Sequence, residues 1–187
     1  VGLAVARSLS KAGLETFVIE KAASFGTGTS SRNSAVVHAG IYYRKVSLKA
    51  QWCVEGRRSL YEYCAQAGVS TNMCGNLVVA GQGEENRLER LYANAIANGV
   101  NDVALLTADE VHDLEPLVEA QGGGLFSPSS GSVDVQDYLR SLLADAESNG
   151  AHIVFNAPIE EAYYSAPDSP ISIMVAGEWM ECDVFIN

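Results

Sequence analysis

Gly2 opens an amphipathic stretch, and Glu20 closes the apolar run that follows it. The spacing fits the end of a dinucleotide-binding unit. The last glycine of G-x-G-x-x-G lets helix and strand pack closely under a pyrophosphate, and an acid about twenty residues on accepts hydrogen bonds from a ribose diol. A glycine near a helix start and an acid after a strand are each ordinary alone; the helix and strand between them make the pair informative. Downstream, Gly26-Thr27-Gly28-Thr29-Ser30-Ser31-Arg32-Asn33-Ser34 offers hydroxyls, unhindered backbone N–H groups and one guanidinium, donors that can hold a pyrophosphate and a polyol chain. The same composition suits a plain polar loop. Charge placement separates the two readings: six of the 12 Lys and Arg residues (Arg32, Arg44, Lys45, Lys49, Arg57, Arg58) fall between residues 32 and 58, where Glu55 is the only acid. One basic neighbourhood in an acidic chain points to an anionic cofactor, an anionic substrate, or both.

Other reactive side chains carry less. Cys53, Cys64, Cys74 and Cys182 form no C-x-x-C pair and have no histidine at zinc-ligand spacing, so no metal site is expected. Cys53 and Cys64 lie 11 residues apart, close to three helical turns, and read as small buried hydrophobes on one face. Reduced thiols fit a cytosolic type of compartment. His112 and His152 are expected to face solvent.

These residues need a frame. VGLAVARSLSKAGLE carries apolar residues at the three-and-four spacing of a helix that ends at Gly13. Thr16 to Glu20 reads as a strand buried on both faces of a parallel sheet. Residues 22–46 form a loop region containing the short apolar piece Ala35-Val36-Val37. Residues 47–67 read as a helix capped by Ser47 and stopped by Gly68. Then come a strand over 76–80, a helix over 84–98, and a short helix over 107–114 started by Thr107 with Glu110 at capping-box spacing. A strand over 124–127 precedes the turn-rich SPSSGSVD. Helix 134–149 leads to a strand at 153–155, and residues 158–187 alternate as antiparallel strands around turns at 165–170 and 177–178. A helix already running at residue 1 and a strand-like Cys182–Asn187 at the other end give the expectation of a segment from a longer protein.

Composition sets outer bounds. With 187 residues, 48% of them hydrophobic, and a mean hydropathy of +0.06, the chain can bury a core. A formal charge of −11 argues against a nucleic-acid binder, and no apolar run approaches the ~20 residues of a membrane-spanning helix.

AGLETFVIEK, GTGTSSRNSAVVHAGIYY, SLKAQWCVEGRRSLYEYC, CGNLVVA, Glu115-Pro116 and SPSSGSVD together resemble the FAD-dependent oxidoreductases of the D-amino-acid-oxidase type. Within them the chain is most similar to the L-2-hydroxyglutarate dehydrogenase or oxidase branch. The likeness covers nearly the whole chain, and SSRNSAVVHAGIYY is its most specific piece. The resemblance implies that Gly2 closes the dinucleotide motif and that Glu20 binds the adenosine ribose. It implies that Thr29, Ser30, Ser31, Arg32 and Asn33 line the FAD pyrophosphate and ribityl chain, and that His38, Ala39 and Gly40 run beside the isoalloxazine ring. Ile159 falls where relatives contact adenine through main-chain atoms. Some relatives attach flavin covalently through a histidine in the place of His38 and others do not; a non-covalent role near the ring is expected here. Tyr42, Tyr43, Arg44, Lys45 and Lys49 either approach a dicarboxylate or cover a neighbouring strand, and Trp52, Leu60, Tyr61, Tyr63 and Cys64 read as helix packing.

The expected fold is α/β: a Rossmann-like FAD-binding domain (residues 1–75 and 134–187) interrupted by a smaller α+β substrate domain (76–133), with Leu77–Ala80 and Gly124–Ser127 in the substrate-facing sheet. The implied activity is oxidation of a small anionic 2-hydroxy acid, L-2-hydroxyglutarate to 2-oxoglutarate, with hydride transfer to flavin while a base takes the hydroxyl proton. Electrons then pass to quinone or oxygen. The place of action is cytoplasmic, with peripheral membrane contact compatible, or mitochondrial in a eukaryote. An amine, amino-acid or glycerol-3-phosphate oxidase is the alternative flavoenzyme, and a nucleotide-binding module without catalysis is the alternative from another class.

Overall fold

The computed structural model describes residues 1–166 and 169–187, in two compact units: residues 1–32 with 135–187, and residues 33–134. In the first unit, α1 (Gly2–Lys11) leads into β1 (Phe17–Ile19), which pairs in parallel with β8 (His152–Val154), Phe17 opposite His152 and Ile19 opposite Val154. α5 (Val135–Ser148) packs on α1. Small residues allow this approach: Ala6, Ala146 and Ala151 are buried together, with Val18 and Ile153 against them. Leu139 and Leu142 are buried on α5, each such side chain contributing about 1.5–3 kcal/mol. The Asp145 carboxylate of α5 binds Arg7 Nε and Lys11 Nζ of α1, fastening the two helices. Beyond β8 lies an antiparallel sheet ordered β11-β10-β9, from β9 (Ile159–Tyr164), β10 (Ile171–Val175) and β11 (Glu178–Cys182). Ala176 and Gly177 both have positive φ, as a two-residue hairpin of type I′ requires.

The second unit holds two antiparallel sheets. One is ordered β2-β7-β3, from β2 (Val36–Val37), β7 (Gly131–Val133) and β3 (Thr71–Asn72); the other is ordered β4-β6-β5, from β4 (Asn76–Val79), β6 (Gly124–Ser127) and β5 (Ala104–Leu106). Leu77 pairs with Phe126 and Val78 with Leu125, so the two expected sheet segments are neighbours. Three helices accompany them: α2 (Leu48–Ala67), α3 (Glu85–Ala97) and α4 (Ala108–Leu114). Ser47 Oγ accepts the Ala50 N–H at 3.2 Å, and Gly68 closes α2 in the left-handed conformation. Thr107 and Glu110 form the expected capping box on α4. Ile41, Leu88, Ala95, Val100 and Leu125 make the core, with Ala39 and Ala80.

Several expectations need correction. β1 is not buried on both faces: Phe17 is 50% exposed, because among the described residues the strand has one neighbour, β8, in a two-stranded sheet. Its ring instead stacks on His152 at 5.0 Å, and His152 and His112 are both exposed. The last strand ends at Cys182, the last residue paired with β10, so residues 183–187 carry no strand. Trp52 is 63% exposed rather than packed: on α2 it lies about 120° around the axis from Cys64, which is fully buried. Cys53 is half-buried. β3, β5 and β7 were not expected. The two compact units meet at Arg32/Asn33, and β2 and β3 both pair with β7 inside the second. The turn expected over 165–170 includes Pro167 and Asp168, which lie outside the described residues.

Candidate functional site

In the first unit, β1 delivers Glu20 to its carboxyl end. The Glu20 N–H donates to the Val154 carbonyl at 2.8 Å, and the Glu20 carbonyl accepts the Ala157 N–H at 3.1 Å, so the residue is held from both sides. Its side chain folds back, Oε1 accepting the Ala22 N–H at 2.8 Å. The carboxylate is thereby oriented while Oε2 has no hydrogen bond among the described residues, which leaves acceptor capacity for a diol. Ile159 begins β9 two residues beyond Ala157, so the backbone brings it to the region of Glu20. Gly2 is the first residue of α1, and a Cβ there would meet nothing within 4 Å.

The loop after β1 makes a short 3-10 turn at Thr29–Ser31 that rests against α5. Gly26 fixes its entry: with φ +69° and Leu139 Cδ1 where a Cβ would stand at 2.6 Å, no other residue fits without a shift. Inside the loop, Ser31 Oγ donates toward the Thr27 and Gly28 carbonyls, at 3.0 and 2.8 Å, and Arg32 Nη1 donates to the same two carbonyls. Both side chains brace the turn's own backbone. Thr29 is exposed, Ser30 half-buried, and Asn33 belongs to the second unit, where its Oδ1 accepts the Ala35 N–H.

In the second unit, His38 is exposed while Ala39 and Gly40 are buried behind it. The Cys53 Sγ of α2 donates to the His38 carbonyl at 3.1 Å. Burial pushes the Cys53 thiol up, although Arg57 and Lys49 pull it the other way, so the sulfur keeps the proton it donates. Lys49 Nζ stands 4.5 Å above the Tyr43 ring, a cation–π contact, and burial together with Cys53 raises the Tyr43 hydroxyl. Asn76 Nδ2 approaches the Tyr42 hydroxyl at 3.4 Å, and Arg57 Nη1 binds Ser129 Oγ in the SPSSGSVD turn. Arg44 and Lys45 are exposed.

Two residues missed in the sequence hold this segment. Asn94 Nδ2 donates to the carbonyls of Ile41 and Tyr43 at 2.8 and 2.9 Å, and Asn98 Nδ2 to those of Gly40 and Tyr43 at 3.0 and 2.8 Å. The available signal was a pair of asparagines four residues apart, one inside α3 and one at its C-cap.

Among the described residues no group of three or more His, Cys, Asp or Glu is gathered as metal ligands would be, and no helix is long and apolar enough to cross a membrane. The chain is 44% identical over 144 residues to an L-2-hydroxyglutarate dehydrogenase, mitochondrial, of Arabidopsis thaliana, covering 76% of this chain and 30% of the relative. It is 37% identical over 167 residues to the protein of that name in Pongo abelii, covering 86% and 39%. The L-alpha-glycerophosphate oxidase of Mycoplasma pneumoniae, solved with FAD bound, superposes with a TM-score of 0.85 at 27% identity, over 95% of this chain and 47% of that one. The chain thus spans less than half the length of these relatives. The family model for FAD dependent oxidoreductases matches residues 1–168, and the chain belongs to that family.

Proposed function

We propose that the protein is an FAD-dependent oxidoreductase that acts on a CH–OH donor, oxidising L-2-hydroxyglutarate to 2-oxoglutarate. The observation that carries the substrate is the identity of 44% and 37% to proteins named L-2-hydroxyglutarate dehydrogenase, continuous over most of this chain. The cofactor fits the residues present: an oriented carboxylate at the end of β1 and a turn braced internally by Ser31 and Arg32.

FAD, when bound, supplies the two-electron acceptor that no side chain provides. In this reading Glu20 orients the ribose through its second carboxylate oxygen, and the first-turn N–H groups of α1 face phosphate. Thr29, Ser30, Ser31, Arg32 and Asn33 line the pyrophosphate and ribityl chain, Ile159 meets adenine through its main chain, and His38, Ala39 and Gly40 border the ring. His38 is assigned no covalent bond. The cations Arg44, Lys45 and Lys49 favour approach of a dianionic substrate. The domain that binds FAD is assigned residues 1–75 and 134–187, and the substrate domain residues 76–133.

The test is direct. Purified full-length protein is expected to show flavin absorbance and to reduce an artificial electron acceptor with L-2-hydroxyglutarate, and not with its D isomer, glycine or glycerol 3-phosphate. Protein that stays colourless after incubation with FAD refutes the flavoenzyme reading. Turnover of glycerol 3-phosphate instead would select the second reading, which the likeness to the glycerophosphate oxidase favours.

A further inference from the structure

The stretch from His38 to Tyr43 forms no helix or strand, yet Ala39, Gly40 and Ile41 are buried. Buried irregular backbone must find hydrogen-bond partners outside a ladder. Here α3 provides them. Asn94 and Asn98, one turn apart on the same face, use both N–H groups of each carboxamide on three carbonyls, those of Gly40, Ile41 and Tyr43, and the Tyr43 carbonyl receives one from each. The two contacts on Tyr43 lock the pair into one clamp.

Asn98 makes the assignment sharper. Its Oδ1 is buried with no hydrogen-bond partner, a state that costs free energy and that proteins seldom keep without compensation. Turning the carboxamide over would bring Oδ1 against the Gly40 and Tyr43 carbonyls, oxygen facing oxygen, so donation to the segment dictates the orientation. Asn94 is a poor helix former inside α3 and Asn98 is its C-cap, and the side chain of each serves the segment.

We infer that Asn94 and Asn98 are positioning residues for the reaction proposed above: by holding three carbonyls of an irregular segment they fix His38–Gly40, assigned to the cofactor, in register with the Tyr43–Lys49 pair, assigned to the substrate side. The inference rests on that reading. Neither asparagine touches the reacting atoms; both act through the backbone they hold.

The experiment compares Asn94→Ala, Asn98→Ala and Asn98→Asp with Val111→Ala, a truncation of a fully buried side chain on α4, outside the cluster that holds Ala39 and Ile41. In full-length protein, the readouts are FAD dissociation constant, visible-region circular dichroism of bound flavin, amide hydrogen exchange over residues 39–44, and KM and kcat. The asparagine variants are expected to weaken FAD about tenfold, change the flavin dichroism, speed exchange in the segment and lower kcat more than they raise KM. Asn98→Asp, which keeps size but replaces the donor, is expected to match Asn98→Ala. Asparagine variants with native flavin affinity and dichroism overturn the inference, as does a Val111→Ala protein that shifts these signals equally at the same loss of melting temperature. Should either alanine variant fail to fold, the comparison of Asn98→Asp with native protein decides by hydrogen exchange alone, unchanged protection of residues 39–44 overturning the clamp. Wild-type protein without flavin is a different result: it refutes the function, whereas a flavin-loaded wild type with indifferent variants refutes only the clamp.

Discussion

Replacing Asp145 by Asn is expected to loosen α1 from α5 and, with it, the helix that starts at Gly2. One carboxylate serves two cations there: Arg7 Nε binds Oδ2, and Lys11 Nζ stands 3.1 Å from the same oxygen. The Arg7 and Asp145 side chains are 25% and 27% exposed, and that of Lys11 is 42% exposed. A fully exposed pair contributes about 0–1 kcal/mol, and a hydrogen bond to a charged group about 1.5–3 kcal/mol. A quarter-exposed pair belongs between, and Asn keeps an acceptor for Arg7. The expected loss is therefore about 1–1.5 kcal/mol, or roughly 2–6 °C in melting temperature for a chain of this size.

The pH dependence gives the sharper test. Burial pushes the Asp145 carboxyl up, but the hydrogen bonds and charges of Arg7 and Lys11 outweigh it and hold the group below its ordinary 3.8. A depressed folded value means that the stabilisation is fully present above the unfolded pKa and disappears as pH falls through the folded one. Thermal unfolding followed by far-ultraviolet circular dichroism at pH 7, 5, 4 and 3 is expected to show a constant gap between native and Asp145→Asn protein down to pH 5. The gap then narrows below about pH 4. Equal melting temperatures at pH 7 would refute the claim that the pair matters. A gap as wide at pH 3 as at pH 7 would refute its ionic origin and leave packing as the cause.

Glu20→Gln keeps size and removes charge, and in full-length protein it is expected to raise the FAD dissociation constant about tenfold in a direct titration; an unchanged constant removes Glu20 from the site. Gly131→Ala would place a Cβ 2.2 Å from the Asn72 carbonyl oxygen and 2.6 Å from the Tyr61 hydroxyl, so β7 must shift. The expected cost is about 2–3 kcal/mol, read as a lower urea midpoint, and a native midpoint would contradict the pairing of β3 with β7. A thiol reagent at pH 8 is expected to modify exposed Cys74 first and Cys53 slowly, because burial raises the Cys53 thiol, and to reach fully buried Cys64 only on unfolding. Modification of Cys64 in step with Cys74 would contradict the burial of that face of α2.

What could be read from sequence was written locally. Ser47 and Gly68 bound α2 because a hydroxyl acceptor and a left-handed residue satisfy the helix's own end groups. Thr107 and Glu110 do the same for α4. The missed elements are set by distant partners. Thr71-Asn72 and Gly131–Val133 have no strong strand pattern of their own; they are strands because β7 lies between β2 and β3. Phe17 shows the opposite error, an apolar run taken as doubly buried although a single strand flanks it. The asparagine clamp escaped for the same reason, since a carboxamide's partners 51 to 58 residues away leave no periodic trace.

Backbone strain supplies a test of the site independent of resemblance. Among the described residues, four non-glycine residues have positive φ: Ala35, Val46, Asn156 and Ala176. Ala176 is accounted for by its hairpin. Ala35 and Val46 bracket the stretch from His38 to Tyr43, and a β-branched residue at φ +66° is costly wherever it stands. Asn156 donates its N–H to the Ala22 carbonyl, beside the ladder that holds Glu20. Ala35 and Asn156 thus adjoin residues assigned to the cofactor, in two different units of the chain, and Val46 adjoins Lys45, assigned to the substrate. Strain persists only where surroundings over-determine the backbone, and here those surroundings include the Asn94 and Asn98 bonds and the β1–β8 ladder. If the strain serves positioning, Val46→Gly should stabilise the protein, by relieving an unfavourable φ, while lowering kcat; a gain in both would mean that the strain is incidental to the reaction.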